Sequence, residues 1–289
     1  MLCLLASRLV FAVSAYPGLV EYVQPDGSKV NIYLKGDERT KWALSEDGYT
    51  LLHNKAGYFE FAVRDANGDL VPSGVTAKNV IHRGLKEKTL LDKVQKSLFF
   101  SESQLSMISQ IKQIYAQESA IAQAFPTTGT RKLICILIGY KDKPFVKTNA
   151  DFNNLFNQIG YNLDGATGSV KDFYLENSYN QFDLQVDVAG PYVASQNLDY
   201  YGANDVNGYD IRPRELVAEA INLADPTVNF ANYDNDGDGW VDGVYIIYAG
   251  YGEEAGAPAN TIWAHAWGLS SAVLKDGKYI QRYSCSSEL

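Results

Sequence analysis

With 46% apolar residues, a chain of 289 residues can bury a substantial core, and its length suits one large domain or two ordinary ones; a disordered chain is excluded. The net charge is −9, from 34 acidic against 25 basic side chains, and no Lys/Arg cluster suited to phosphates stands out, which argues against a nucleic-acid partner. Cys3, Cys135 and Cys285 form no Cys-x-x-Cys pair and no disulfide framework. Cys135, inside "LICILIGY", reads as a buried core thiol, with a Cys135–Cys285 bridge left open.

In chain order, "MLCLLASRLVFAVSA" (residues 1–15) is apolar and ends in small residues, the pattern of a signal peptide cut before Tyr16. It predicts a secreted protein, extracellular or periplasmic; an N-terminal buried strand or helix is the alternative. No other stretch approaches the roughly eighteen apolar residues of a membrane span. Residues 16–84 then read as short strands: "KVNIYLKGDE", "GYTLLHNKAG" and "YFEFAVRDANGDLV" are separated by Asp-Gly, Ala-Gly and Asn-Gly, the chemistry of hairpins. His53 and His82 in this unit are expected at the surface.

Across residues 85–129 the turn residues give way to a helical linker, with Leu105, Ile108, Ile111, Ile114 or Tyr115, and Ile121 at helical spacing. "FPTTGTRK" breaks it and marks a boundary. From residue 130 to 289 strands alternate with helices. "KLICILIGY" is a strand covered on both faces. "NADFNNLFNQIG" predicts a helix capped by Asn149, with Phe152, Leu155, Phe156 and Ile159 on one face. "GSVKDFYLENSYNQ" predicts another helix, and "FDLQVDVAGPYV" a half-buried strand. "RPRELVAEAINLAD" predicts a helix with Leu216, Val217, Ala220, Ile221 and Ala224 as its apolar stripe. The strands "GVYIIYAG", "TIWAHAW" and "YIQRYSC" follow. The expected fold is α+β, or mixed α/β: a small β-rich unit, a helical linker, then a mixed sheet with flanking helices.

Between the last helix and "GVYIIYAG" lies "YDNDGDGWVDG". Asp234, Asp236 and Asp238 stand at positions one, three and five, Gly239 at six and Asp242 at nine. Alternate aspartates in a tight turn converge on one point, and Ca²⁺ takes six to eight oxygen ligands, so this pattern predicts a calcium loop with the Trp240 carbonyl as a further ligand. Position twelve is Tyr245 rather than a bidentate Glu, and a strand follows, so it is not an EF-hand. A solvated Asx-rich turn is the alternative. No catalytic set can be assigned from spacing. His53, His82 and His265 form no His-Glu-x-x-His pair, and there is no Gly-x-Ser-x-Gly elbow. His265 between two tryptophans reads as a packed, hydrogen-bonded residue. Glu253 and Glu254, as neighbours on a strand, point to opposite faces and cannot flank one glycosidic bond.

Three stretches together resemble the secreted zinc metallopeptidases of the immune inhibitor A type, the sixth metallopeptidase family. These are "YDNDGDGWVDGVYIIYAGYGEE…IWAHAW", "GSVKDFYLENSYNQFDLQVDVAGPY" and "LKGDERTKWALSEDGYTLL". The resemblance implies a zymogen: signal peptide (1–15), β-rich propeptide (16–84), helical linker (85–129) and the N-terminal part of the catalytic domain (130–289). In that family zinc is held by a His-Glu-x-x-His helix whose Glu acts as general base toward the zinc-bound water. No such motif occurs up to Leu289. The expectation is therefore a fragment of a metalloendopeptidase that ends before its Zn²⁺ ligands and is inactive alone, with structural Ca²⁺ in the aspartate loop. Protein or peptide substrates belong to the full-length parent. The rival reading is a secreted calcium-binding structural or binding protein without catalysis.

Overall fold

The computed structural model describes residues 13–119, 125–205 and 208–289, and the side chains of all of these but 111–119. The expected signal peptide, with Cys3, lies outside the described residues except for its last three positions.

The hairpin text folds as an antiparallel six-stranded sheet in sequential order: β1 (Leu19–Val23), β2 (Lys29–Asp37), β3 (Thr40–Ser45), β4 (Thr50–His53), β5 (Phe59–Arg64) and β6 (Leu70–Thr76). Its turns place glycine where φ is positive, as at Gly48 (91°) and Gly68 (83°), a conformation closed to most side chains. Val30, Ile32, Ala43, Leu51, Phe59 and Phe61 form its core.

The linker is helical in two pieces, α1 (Leu85–Leu91) and α2 (Glu102–Ser119). The expected helical span is interrupted between them, and the reason is tertiary. Ser97 takes a positive φ of 53°, the Thr50 hydroxyl donates to the Leu98 carbonyl at 2.6 Å, and Phe99 packs edge-on against Trp42 at 5.0 Å. The segment thus docks on the N-terminal sheet.

A mixed five-stranded sheet follows, in the order β10-β11-β9-β7-β8. It comprises β7 (Gly129–Gly139), β8 (Phe182–Val193), β9 (Val244–Tyr248), β10 (His265–Lys275) and β11 (Lys278–Ser287). The β7–β8, β7–β9 and β9–β11 pairs are parallel, and β10 runs antiparallel to β11. Four helices accompany it: α3 (Asn149–Asn157), α4 (Val170–Asn177), α5 (Leu198–Tyr201) and α6 (Pro213–Ala224). β7 shows why its text lacks alternation. Ile134, Ile136 and Ile138 face the core that contains the α6 stripe, whereas Cys135 and Leu137 face Phe152 and Phe156 of α3. All five α6 positions expected in the stripe are buried. Cys135 and Cys285 are free and buried.

The α3 cap differs from expectation. Thr148, not Asn149, is the N-cap, sharing reciprocal bonds with Asp151. Asn149 instead donates to the Val188 and Gly190 carbonyls of β8, each at 3.0 Å. Ile159 lies past the helix end and is exposed.

Candidate metal loop and the buried acids

A 3-10 turn, Phe230–Tyr233, delivers the chain to the aspartate loop. Carboxylate oxygens of Asp234, Asp236 and Asp238 lie within 4.8 Å of one another, the only such group of three acids, histidines or cysteines among the described residues. Gly237 and Gly239, with φ of 78° and 94°, make the bend. Asp234 turns inward: Oδ1 accepts from the amides of Gly237 (2.8 Å) and Asp238 (3.1 Å), and Oδ2 from Gly239 (3.0 Å). The Trp240 amide donates to Asp238 Oδ1 at 2.8 Å. Asp242 is set apart from the trio, its Oδ2 accepting from both the backbone and the side-chain nitrogen of Asn235 at 2.7 Å.

The loop is tied to three strands of the mixed sheet. Asn235 exchanges hydrogen bonds with Lys132 of β7, its Oδ1 accepting from Lys132 N (2.8 Å) and its Nδ2 donating to Lys132 O (2.9 Å). Tyr233 donates to Asp187 of β8 at 3.0 Å. On β11, Tyr279 receives the Val241 amide and donates to the Gly239 carbonyl, while its ring lies 5.1 Å from that of Trp240. Lys278 Nζ sits 2.6 Å from Asp234 Oδ2, whose side chain is 1% exposed. Burial disfavours the Asp234 carboxylate, but Lys278 and the loop amides outweigh it and hold the pKa below the usual range. Asp242 goes the other way: burial raises its pKa, the charges of Asp236 and Asp234 add to this, and Asn235 opposes. Sequence reading missed Asn235 and Lys278. Asn235 carried a signal, an amide between two aspartates, whereas Lys278 lies 44 residues on and carried none.

His265 is packed as its sequence suggests: 1% exposed, with its ring against Trp267. A carbonyl only accepts, so Nδ1 carries the proton and donates to Trp263 O at 2.6 Å, leaving Nε2 to accept from the Tyr283 hydroxyl at 2.8 Å. Both nitrogens are engaged, so this imidazole offers no lone pair to zinc. The other two histidines lie in the N-terminal sheet region, and His82 is exposed as expected. His53 is half-buried rather than exposed. It stacks on Phe59 at 3.8 Å, and its Nδ1 lies 3.8 Å from Glu253 Oε1. The partner is 200 residues away, so no local pattern announces it. Among the described residues no histidine belongs to a converging group of three ligand side chains.

Glu253 and Glu254 do not alternate on a strand. They open a 3-10 turn, Glu253–Ala255, with Glu253 buried against Lys41 of β3 and Glu254 Oε2 accepting from Ala264 N at 3.0 Å.

A family model described as the immune inhibitor A peptidase M6 catalytic domain matches residues 127–284. The chain is 30% identical over 187 residues to the pre-pro-metalloprotease PrtV of Vibrio cholerae serotype O1, covering 51% of this chain and 20% of that protein. It is 25% identical over 173 residues to immune inhibitor A of Bacillus thuringiensis subsp. alesti, covering 47% of this chain and 25% of the relative. The matches thus span about a fifth to a quarter of the length of these curated relatives.

Proposed function

This chain belongs to the immune inhibitor A peptidase family, M6, and on that premise we propose that it is the front portion of a secreted zinc metalloendopeptidase, supplying sheet, helices and loop brace but no zinc ligands. The observation that carries the reading is the pairing of the M6 match over 127–284 with histidines that form no metal group: both nitrogens of His265 are engaged, and no histidine joins a converging trio of ligand side chains among the described residues. Proteins or peptides are the substrates of the full-length parent. Residues 16–84 are its propeptide and 85–129 the linker, a division supported by the separate core of the N-terminal sheet and by the "pre-pro" in the Vibrio relative's name.

The aspartate loop takes a structural Ca²⁺. Asp234, Asp236 and Asp238 supply carboxylate oxygens, the Trp240 carbonyl a further one, and Asp242 joins by releasing Asn235. The donor set fits the ion, since it is all oxygen and three carboxylates already converge. The ties to β7, β8 and β11 support a bracing role over a catalytic one. With no bidentate Glu, the dissociation constant belongs at about 10⁻⁴ to 10⁻³ M. Equilibrium dialysis of the chain against both metals tests the reading. One calcium and no stoichiometric zinc is the expected result; tight one-to-one zinc binding would overturn it.

A further inference from the structure

Lys41 reaches out of β3 to form a buried ion pair with Glu253, the two side chains 16% and 4% exposed. Its Nζ lies 5.5 Å from the centroid of the buried Trp263 ring, a favourable position for a desolvated cation. Its stem passes Gly208, where an added Cβ would come within 3.5 Å of Lys41 Cε. Burial raises the pKa of two more carboxylates, Asp210 (to about 8) and Glu254, and the same ammonium charge opposes that rise.

Backbone amides position the receiving residues. Asp210 Oδ2 accepts from the Trp263 amide at 3.0 Å, Glu254 Oε2 from the Ala264 amide, and the Glu253 amide donates to Ile262 O at 3.3 Å. Asp210 Oδ1 is buried with no hydrogen-bond partner. From the N-terminal sheet, His53 and Tyr22 also face Glu253. Burial keeps His53 neutral, with its pKa down to about 3, and Tyr22 is pushed up to about 12 by burial and then by the Glu253 charge. Neither supplies a cation. The M6 portion therefore contributes the acids and the aromatic wall, and the N-terminal sheet supplies the ammonium that lies among them.

Resting on the reading of residues 16–84 as a removable unit, we propose that Asp210, Glu253 and Trp263 form a primary-ammonium pocket, filled in this chain by Lys41 and open to a lysyl side chain of a peptide once that unit departs. Calcium is the poorer occupant: among the described residues only Asp234, Asp236 and Asp238 converge within 4.8 Å, and the pocket presents an aromatic face where Ca²⁺ needs oxygens.

Chemical rescue in the full chain tests this. Lys41→Ala leaves the acids uncompensated and lowers the unfolding midpoint by roughly 5–10 °C. n-Butylamine restores at least half of that loss in Lys41→Ala, and does so in neither the wild type nor Lys41→Ala/Glu253→Gln; n-butanol and guanidinium restore less. Equal rescue by n-butanol, or none by the amine, overturns the pocket. Should Lys41→Ala fail to fold, acetic anhydride labelling of the wild-type chain decides instead. Lys41 reacts at least tenfold more slowly than exposed lysines, and Glu253→Gln removes that protection; labelling at the exposed rate overturns the proposal. The propeptide reading fails separately. If the amine rescues but the N-terminal unit never separates after linker cleavage, the pocket stands and the removable unit does not.

Discussion

Acidification should expose the cost of His265. Its imidazole is neutral in the fold, donating from Nδ1 to Trp263 O and accepting at Nε2 from Tyr283, and protonation would turn Nε2 into a donor facing a hydroxyl that already donates to it. Burial holds its pKa down to about 4, against 6.5 for the free side chain. A depressed histidine stabilises the fold above its unfolded value and loses that contribution as pH falls from 6.5 toward about 4. Between pH 7 and pH 5 the loss is 1.5 pH units below the unfolded value at about 1.4 kcal/mol each, or about 2 kcal/mol. Buried carboxylates whose pKa is raised, Asp210, Glu253 and Glu254 among them, act in the opposite direction, so total stability is the wrong readout. The informative quantity is the urea-unfolding difference between wild type and His265→Gln. It should shrink by about 2 kcal/mol from pH 7 to pH 5. A difference that does not change with pH would refute the buried neutral imidazole.

Other perturbations address the loop and the linker. Lys278→Met removes the ammonium partner of Asp234, which keeps its three amide donors, and should cost about 1–3 kcal/mol in chelator; millimolar calcium should recover more stability in this variant than in wild type. A loss unaffected by calcium would mean that no ion enters beside Asp234. Asn235→Ala removes the hydrogen bonds to Lys132 and Asp242 and should cost about 1–3 kcal/mol by urea unfolding, whereas a neutral result would detach the loop from β7 energetically. Limited proteolysis should cut first between Phe125 and Lys132; first cleavage elsewhere would contradict the division between linker and M6 portion.

Local patterns were enough for the elements whose causes are local. The Leu216–Ala224 stripe, the Asn-Gly and Asp-Gly turns and the unbroken apolar run of β7 each encode their own burial. What the text hid depends on distant partners. The linker breaks where residues 97–100 dock on Gly48, Thr50 and Trp42. Asn149 forgoes the cap because β8 presents two carbonyls to it. His53 looked like a surface residue because Glu253 is brought to it only by the meeting of two sheets. In the loop, alternate aspartates announced the trio, but Asp242 turned to Asn235 and Lys278 came from β11, pairings that spacing does not encode.

Hydrolysis by the purified chain is the most direct measurement. In casein digestion with zinc and calcium supplied, the account predicts no turnover above buffer from a sample that is folded and stabilised by calcium. Chelator-sensitive cleavage by the same sample would place catalytic machinery within these residues and contradict it.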